Sequence, residues 1–238
     1  MVLFGFRRKD ASPAVAAVQS VSMSETGLAR TDNQDHVFVD DARLVYCVAD
    51  GVGGGSDGAY ASELVCANLK MVTYATDDTF KARISAVEKA IEDANDALCS
   101  RARARGVPLI ATTVAALVLD PANPRHAAVC HVGDSRIYRI RRGMPELLTR
   151  DHRLGGSHVL TRAVGAAETV RPEWLEIDST DSSRLLLCTD GVHDVVSTGR
   201  LAAFISSAPT LEAAVARLSA DVVRQGAPDN YSLVLLEV

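Results

Sequence analysis

Aspartates follow the most apolar segments of this chain. LVYCVADGVGGG contains Asp50, HVGDSR contains Asp134, and LLLCTDGVHD contains Asp190 and Asp194. A fourth motif, APDN, contains Asp229 and precedes the last apolar segment. Apolar runs of this kind predict buried strands, so three of the motifs place an aspartate where a core strand ends. The chain is therefore restricted to folds in which several strand ends carry carboxylates.

Clustered carboxylates repel one another and need positive charge close by. Arg136 in HVGDSR is the one basic residue within these motifs, and the other lysines and arginines lie elsewhere in the sequence. Hard divalent cations are the usual means of holding several converging carboxylates together. Function is therefore expected at a metal site.

Composition excludes several classes of protein. The 238 residues are 47% hydrophobic, enough for one large domain, and the formal charge of -5 argues against a nucleic-acid surface. The five cysteines form no CxxC pair, which predicts reduced thiols in a cytoplasmic protein. The N-terminal MVLFGFRRKD does not resemble a secretory signal, and no apolar run approaches the roughly 20 residues of a transmembrane helix.

Periodicity predicts an α+β domain. Residues 1–17 have no clear period and are interpreted as a flexible arm, with the domain spanning 18–238. Helices are predicted from Ala59 onward and over 78–104, 198–206 and 210–224. Strands are predicted over 18–25, 36–40, 43–49, 110–119, 125–132, 135–141, 146–148, 174–178, 184–189 and 230–237. Because no regular βαβ alternation is present, we expect antiparallel sheets with helices outside them.

Each acidic motif also has a structural interpretation. Asp-Gly is a common hairpin turn, so Asp50 with Gly51, or Asp190 with Gly191, would prove little in isolation. Because several such motifs occur together in one chain, a functional site is favoured over a set of unrelated hairpin turns.

The ordered motifs resemble the metal-dependent protein phosphatases of the PP2C (PPM) family over nearly the whole chain. The matching segments are ARTDNQD, VADGVGG, ATTVAAL, HVGDSRIYR, LLTRDH, LTRAVG, LLLCTDGVHD and APDN. This resemblance implies a four-layer α-β-β-α sandwich of two antiparallel sheets flanked by helices. It also implies a monomeric protein serine/threonine phosphatase. Its substrates would be phosphorylated proteins, and its partner a cognate eukaryotic-like serine/threonine kinase.

The resemblance also implies a dinuclear centre. Asp50 would bridge two Mn²⁺ or Mg²⁺ ions, with the Gly51 carbonyl as a further ligand, and Asp190 and Asp229 would hold the second ion. All-oxygen ligands favour these ions over Zn²⁺, and the six histidines form no HxH or HExxH pattern. The ions would lower the pKa of a bridging water and so generate the nucleophile.

A third, weaker ion is implied at Asp134 and Asp194. The alternative for Asp134 is a tight turn between strands, supported by Ser135 and Arg136.

Other positions match supporting roles in the family. Arg30 would bind the phosphate, because a guanidinium suits two phosphoryl oxygens at once. Asp35, with Gln34, would orient water on the ions. Thr112 and Thr113 are expected to pack or hydrogen-bond beneath the site, although β-branched residues are also ordinary in strands.

The chain departs from the family at three places. Ala111 replaces the usual glycine before Thr112 and Thr113, a conservative change with local backbone consequences only. Val52 stands where eukaryotic members often have a histidine general acid, and His193 is interpreted as structural rather than as its replacement. Between Leu154 and His158, the family's helical flap is nearly absent. We expect a more open cleft and altered substrate recognition, because loops over a site commonly select substrates.

Two rival functions remain open. A catalytically silent regulatory or binding module could have the same fold, although Asp50, Asp190 and Asp229 are all retained. An enzyme with a shortened flap could instead hydrolyse phosphotyrosine or small phosphate esters.

Overall fold

Two antiparallel β-sheets with helices on their outer faces form the protein. The computed structural model describes residues 18–53, 55–73, 79–155, 157–178 and 183–238, so the predicted N-terminal arm lies outside the described residues. In chain order the strands are β1 (Gln19–Glu25), β2 (Asp35–Asp40), β3 (Val45–Val52), β4 (Ala111–Thr112), β5 (Val114–Asp120), β6 (Asn123–Val132), β7 (Arg136–Arg141), β8 (Met144–Leu147), β9 (Glu173–Asp178), β10 (Arg184–Cys188) and β11 (Tyr231–Glu237). The helices are α1 (Gly55–Met71), α2 (Phe80–Arg105), α3 (Asp190–His193), α4 (Thr198–Ser207) and α5 (Leu211–Arg224).

The strand order separates the chain into two sheets. The first sheet runs β1-β11-β10-β7-β8, and the second runs β2-β3-β5-β6-β9 with β4 added beside β3. Neighbouring strands pair antiparallel in both sheets. Helices α1 and α2 pack on the second sheet, and α3, α4 and α5 pack on the first. This arrangement confirms the predicted α+β four-layer sandwich.

Strand β10 shows why its sequence is apolar throughout. Leu185 and Leu187 face the core between the two sheets. Leu186 and Cys188 face the opposite way, into the core beneath α4 and α5. Successive side chains of a strand point to opposite faces, so a strand covered on both faces needs a continuous apolar run.

Several boundaries differ from the sequence predictions. Helix α1 begins at Gly55 rather than Ala59, and β3 continues through Asp50 to Val52. The predicted strand 110–119 is divided at Thr113, because β4 pairs with the end of β3 whereas β5 pairs with its beginning and with β6. Helix α3 was not predicted, since four residues are too few to show a helical period.

The described helices include none that is both long and apolar enough to cross a bilayer.

Candidate metal centre

Strands β2 and β3 place two carboxylates side by side. Asp35 and Asp50 are directly opposite each other in the antiparallel register. Both the backbone N–H and the backbone carbonyl of Asp50 are hydrogen-bonded to threonine side chains. Its N–H donates to Thr113 Oγ1 at 2.9 Å, and its carbonyl accepts from Thr112 Oγ1 at 2.8 Å. Both threonines are fully buried, so they fix the position from which the Asp50 side chain extends.

Gly51 lies where β3 passes closest to the start of α1. A Cβ atom at Gly51 would be 2.0 Å from the Gly58 carbonyl oxygen, closer than any side chain could be tolerated. The Gly51 N–H donates to the Gln34 carbonyl at 3.1 Å. The predicted ligand position therefore depends on two glycines at the β3–α1 contact.

Asp35 is an acid buried beneath the cluster, with only 3% of its surface exposed. Thr189 Oγ1 donates to Asp35 Oδ2 at 2.8 Å. Burial raises the pKa of Asp35 to about 7, opposed by hydrogen bonds from Thr189 and Ser232 and assisted by the nearby charges of Asp190 and Asp229. This carboxyl therefore holds a proton more tightly than an ordinary aspartate in the ion-free protein.

Asp50 and Asp190 carry the strongest indication of a cation. Burial raises the pKa of Asp50 well above its usual value, and so do the charges of Asp35, Asp190 and Asp134. Burial also raises the pKa of Asp190. Within the described part of the chain, neither carboxylate has a hydrogen bond or ion pair to a cationic side chain, and both line an open cavity of about 310 Å³. Unpaired oxygen ligands at a cavity wall fit a hard divalent cation.

Asp229 joins the cluster from the loop before β11 but has partners of its own. Arg30 Nη2 donates to Asp229 Oδ2 at 2.8 Å, and the Asn230 backbone N–H donates to Oδ1 at 2.8 Å. The hydrogen bond and the charge of Asp229 raise the pKa of Arg30, with smaller contributions from Asp190 and Asp50. The structure thus brings the predicted phosphate-binding arginine to the acidic cluster, 199 residues away from its partner in sequence.

Arg153 contacts the aspartates predicted for a third ion. Its Nη1 and Nη2 donate to the two carboxylate oxygens of Asp194 at 3.1 and 3.2 Å. Its Nε lies 3.6 Å from Asp134 Oδ2. Arg153 was not predicted to lie at the acidic motifs, and its partner Asp194 is 41 residues away in sequence.

The turn interpretation of Asp134 also agrees with the structure. Asp134 lies in the tight connection between β6 and β7, after Gly133 at a φ of 107°. Ser135 Oγ contacts Thr113 Oγ1 at 2.7 Å, which ties this turn to the threonines beneath Asp50. Burial raises the pKa of Asp134 to about 6, with Asp190 adding to the effect and Arg153 opposing it.

His193 is buried and joins two acidic motifs. Its Nε2 lies 3.0 Å from the Asp134 carbonyl oxygen, and its Nδ1 lies 2.9 Å from Asp194 Oδ1. With both ring nitrogens in hydrogen bonds, this side chain holds the turn and α3 together. The contacts agree with the structural interpretation of His193.

A short turn stands where the family flap was expected. The Leu154 N–H donates to the Val159 carbonyl at 3.0 Å, and Arg153 pairs with Leu160 as an isolated antiparallel bridge. His158 and the residues after it form one wall of the cavity that contains Asp50 and Asp190. His158 is strongly exposed, and its ring approaches Asp194 to 3.8 Å. No role was predicted for His158 or Arg153, because neither belongs to an acidic motif.

Comparisons with known proteins agree with this geometry. The model of the family described as Protein phosphatase 2C matches residues 21–226. The serine/threonine protein phosphatase PstP of Mycobacterium tuberculosis is 29% identical over 234 residues, covering 90% of this chain and 44% of PstP. This chain thus spans less than half the length of that relative.

Solved structures show the same architecture. PppA, described as a key regulatory component of T6SS in Pseudomonas aeruginosa, has a TM-score of 0.87 and 28% identity, covering 93% of this chain and 98% of that one. The catalytic domain of PstP in complex with two manganese ions has a TM-score of 0.79 and 27% identity, covering 92% and 97%. From the family match over most of its length and these two structures, the chain belongs to the protein phosphatase 2C family.

Proposed function

We propose that this chain is a protein serine/threonine phosphatase that hydrolyses phosphoserine and phosphothreonine esters with two Mn²⁺ or Mg²⁺ ions. The observation that carries the proposal is the pair of carboxylates of Asp50 and Asp190, which line the cavity and have no hydrogen bond or ion pair to a cationic side chain in the described part of the chain. A similar catalytic domain, that of PstP, was solved with two manganese ions.

The residues present fit such a pair of ions. Asp50 would contribute to both ions, with the Gly51 carbonyl at one side and with Asp190 and Asp229 holding the second ion. When bound, divalent cations of this kind lower the pKa of water and neutralise charge on a phosphate. Carboxylate and carbonyl oxygens are the ligands that Mn²⁺ and Mg²⁺ prefer.

The chain's own side chains would position the substrate. Arg30 is half exposed beside Asp229, so its guanidinium can donate hydrogen bonds to a phosphate next to the acidic cluster. Asp35, held by Thr189, is buried behind Asp50 and can take or hold a proton there. Val52 lines the cavity and has no ionisable group to protonate a leaving group.

The substrates we propose are phosphorylated proteins made by a cognate serine/threonine kinase. PstP and PppA are both bacterial proteins, and PppA is described as a regulatory component. All five cysteines are free thiols, which supports action in the reducing cytoplasm. The short turn at Leu154 to Val159 favours extended phosphopeptides over ligands that need a covering flap.

The test is hydrolysis of matched phosphoserine, phosphothreonine and phosphotyrosine peptides with Mn²⁺, with Mg²⁺ and with EDTA. We expect release of phosphate from the first two peptides, with no release in EDTA. Asp50→Asn and Asp190→Asn should reduce the activity to background. Asp96→Asn, which removes one exposed carboxylate from α2, should leave it unchanged.

Three outcomes would contradict the proposal. Activity that survives in Asp50→Asn or in EDTA would exclude the metal mechanism. Preferential hydrolysis of the phosphotyrosine peptide would show that the enzyme acts on phosphotyrosine rather than on phosphoserine and phosphothreonine. An inactive wild-type protein with poor Mn²⁺ affinity by calorimetry would identify the silent module instead.

A further inference from the structure

Arg153 occupies a constrained position at the edge of the cavity. It lies at the start of the short turn, where the bridge to Leu160 and the Leu154 hydrogen bond to Val159 hold the backbone. Its side chain is only 13% exposed, although an arginine at the base of a surface turn could extend into water. Its guanidinium is therefore directed inward by the contacts that it makes.

Those contacts are with three carboxylates. The Nε atom donates to Asp151 Oδ2 at 2.9 Å, and the two terminal nitrogens donate to the two oxygens of Asp194. The Nε atom also lies 3.6 Å from Asp134 Oδ2. A single guanidinium thus lies against the two carboxylates that the resemblance assigned to a third ion.

We propose that the Arg153 guanidinium takes the place of a third divalent cation, so that this chain binds two ions and keeps a permanent positive charge beside them. The inference rests on the proposed dinuclear centre. It goes further by assigning Asp134 and Asp194 to an arginine rather than to metal.

Charge and burial together disfavour a metal ion beside Arg153. Hydrogen bonds to both carboxylate oxygens do not by themselves exclude a metal, since Asp229 accepts two as well. Arg30 is half exposed, however, whereas Arg153 is only 13% exposed and is also held by Asp151. A cation there would lie within a few ångströms of a guanidinium that stays protonated at all accessible pH values. Binding would therefore require that Arg153 leave the site.

Displacement of Arg153 is opposed by a second arginine. Asp151, which holds Arg153 Nε, is itself fixed by Arg136 through two hydrogen bonds of 2.9 and 2.7 Å. Burial opposes ionisation of Asp151, but these hydrogen bonds prevail and lower its pKa to about 2. The anchor of Arg153 therefore remains negatively charged throughout the neutral range.

The experiment is Mn²⁺ titration by calorimetry, with the number of ions per chain checked by elemental analysis after equilibrium dialysis. Wild-type protein should bind two ions, and Arg153→Ser should bind a third. Arg150→Ser removes an equal charge from an exposed position three residues earlier and should still bind two. The double variant Arg153→Ser with Asp194→Asn should lose the third ion again.

Each result has one meaning. Three ions in the wild-type protein, or an unchanged count in a folded Arg153→Ser, would overturn the inference and leave the dinuclear centre intact. Fewer than two ions in the wild-type protein would contradict the proposed function itself.

A second measurement needs no variant. Crystals of wild-type protein soaked in Mn²⁺ should give two anomalous peaks near Asp50, with Arg153 still on Asp194. A third peak between Asp134 and Asp194 would refute the inference even if Arg153→Ser did not fold.

Discussion

Replacing Asp35 by asparagine should stabilise the ion-free protein. Asp35 is buried, and its pKa rises from an ordinary 3.8 to about 7, chiefly because burial disfavours the charged form. A difference of about 3 pKa units at 1.36 kcal/mol each amounts to about 4 kcal/mol. Because the folded-state pKa is raised, the contribution of Asp35 to the free energy of unfolding is fully present below pH 3.8. That contribution is lost as the pH rises through 7.

The size of the effect therefore depends on pH. At pH 5 only about 2 kcal/mol of the penalty is present, because the folded protein keeps Asp35 protonated while the unfolded chain does not. At pH 8 the full penalty of about 4 kcal/mol applies. Asp35→Asn has no charge to bury and can still accept the Thr189 hydrogen bond. In EDTA, the free energy of unfolding of the variant should exceed that of wild type by about 2 kcal/mol more at pH 8 than at pH 5.

The assay is urea unfolding in EDTA at both pH values, followed by the fluorescence of Trp174, the only tryptophan. Saturating Mn²⁺ should reduce or reverse the advantage of the variant, because bound cations compensate the carboxylate charge. Equal advantages at pH 5 and pH 8, or a less stable variant at pH 8, would refute the reasoning.

Asp221→Asn is the matched control. Asp221 is equally buried, but its carboxylate is paired with Arg200 and Arg224. Removing that charge should destabilise the protein by about 1–3 kcal/mol at both pH values.

Three further changes test other parts of the protein. Gly51→Ala places a methyl group 2.0 Å from a carbonyl oxygen. This clash should weaken Mn²⁺ binding at least about tenfold and lower the melting temperature. The control Gly155→Ala has open space around it and should change neither Mn²⁺ binding nor the melting temperature. Arg30→Lys should lower kcat/KM for a phosphopeptide about tenfold, because an ammonium cannot contact two oxygens in one plane; an unchanged kcat/KM would exclude Arg30 from phosphate binding. Burial lowers the pKa of His131 to about 4, assisted by the adjacent His152, so wild-type stability should fall as pH drops from 6.5 to 4. In urea titrations of His131→Leu, the fall in the free energy of unfolding between pH 6.5 and pH 4 should be about 3 kcal/mol smaller than in wild type. Identical pH profiles of stability for the two proteins would contradict the lowered pKa of His131.

Local sequence patterns predicted most strands and helices and the antiparallel sheets, whereas the four-layer arrangement was implied by the family resemblance. The apolar run at Leu185 to Cys188 predicts a strand buried on both faces, and the structure packs its alternate side chains into two different cores. The aspartates after such runs follow the same logic, since antiparallel strands that end at one edge bring their next residues together. Short-range periodicity therefore predicted both the sheets and the convergence of acids.

The contacts that balance those acids were not predictable in the same way. Arg153 meets Asp194 across 41 residues, and Arg30 meets Asp229 across 199. An arginine near a predicted turn is ordinarily solvent-exposed, so nothing local marks Arg153 as a partner of the cluster, and Arg30 was assigned to the site through the family resemblance. The division of the strand at Thr113 likewise depends on which neighbour each half pairs with.

The carboxylates proposed to share the two ions come from different sheets. Asp50 extends from β3 in the second sheet, whereas Asp190 and Asp229 adjoin β10 and β11 in the first. Their separation is therefore set by the thickness of the apolar layer between the sheets, where Val48 and Leu187 are fully buried. Packed sheets lie about 10 Å apart, a spacing that side-chain volume determines. Loss of a few methyl groups in that layer would thus change the spacing of the ligands, and with it metal affinity, without touching the cavity at all.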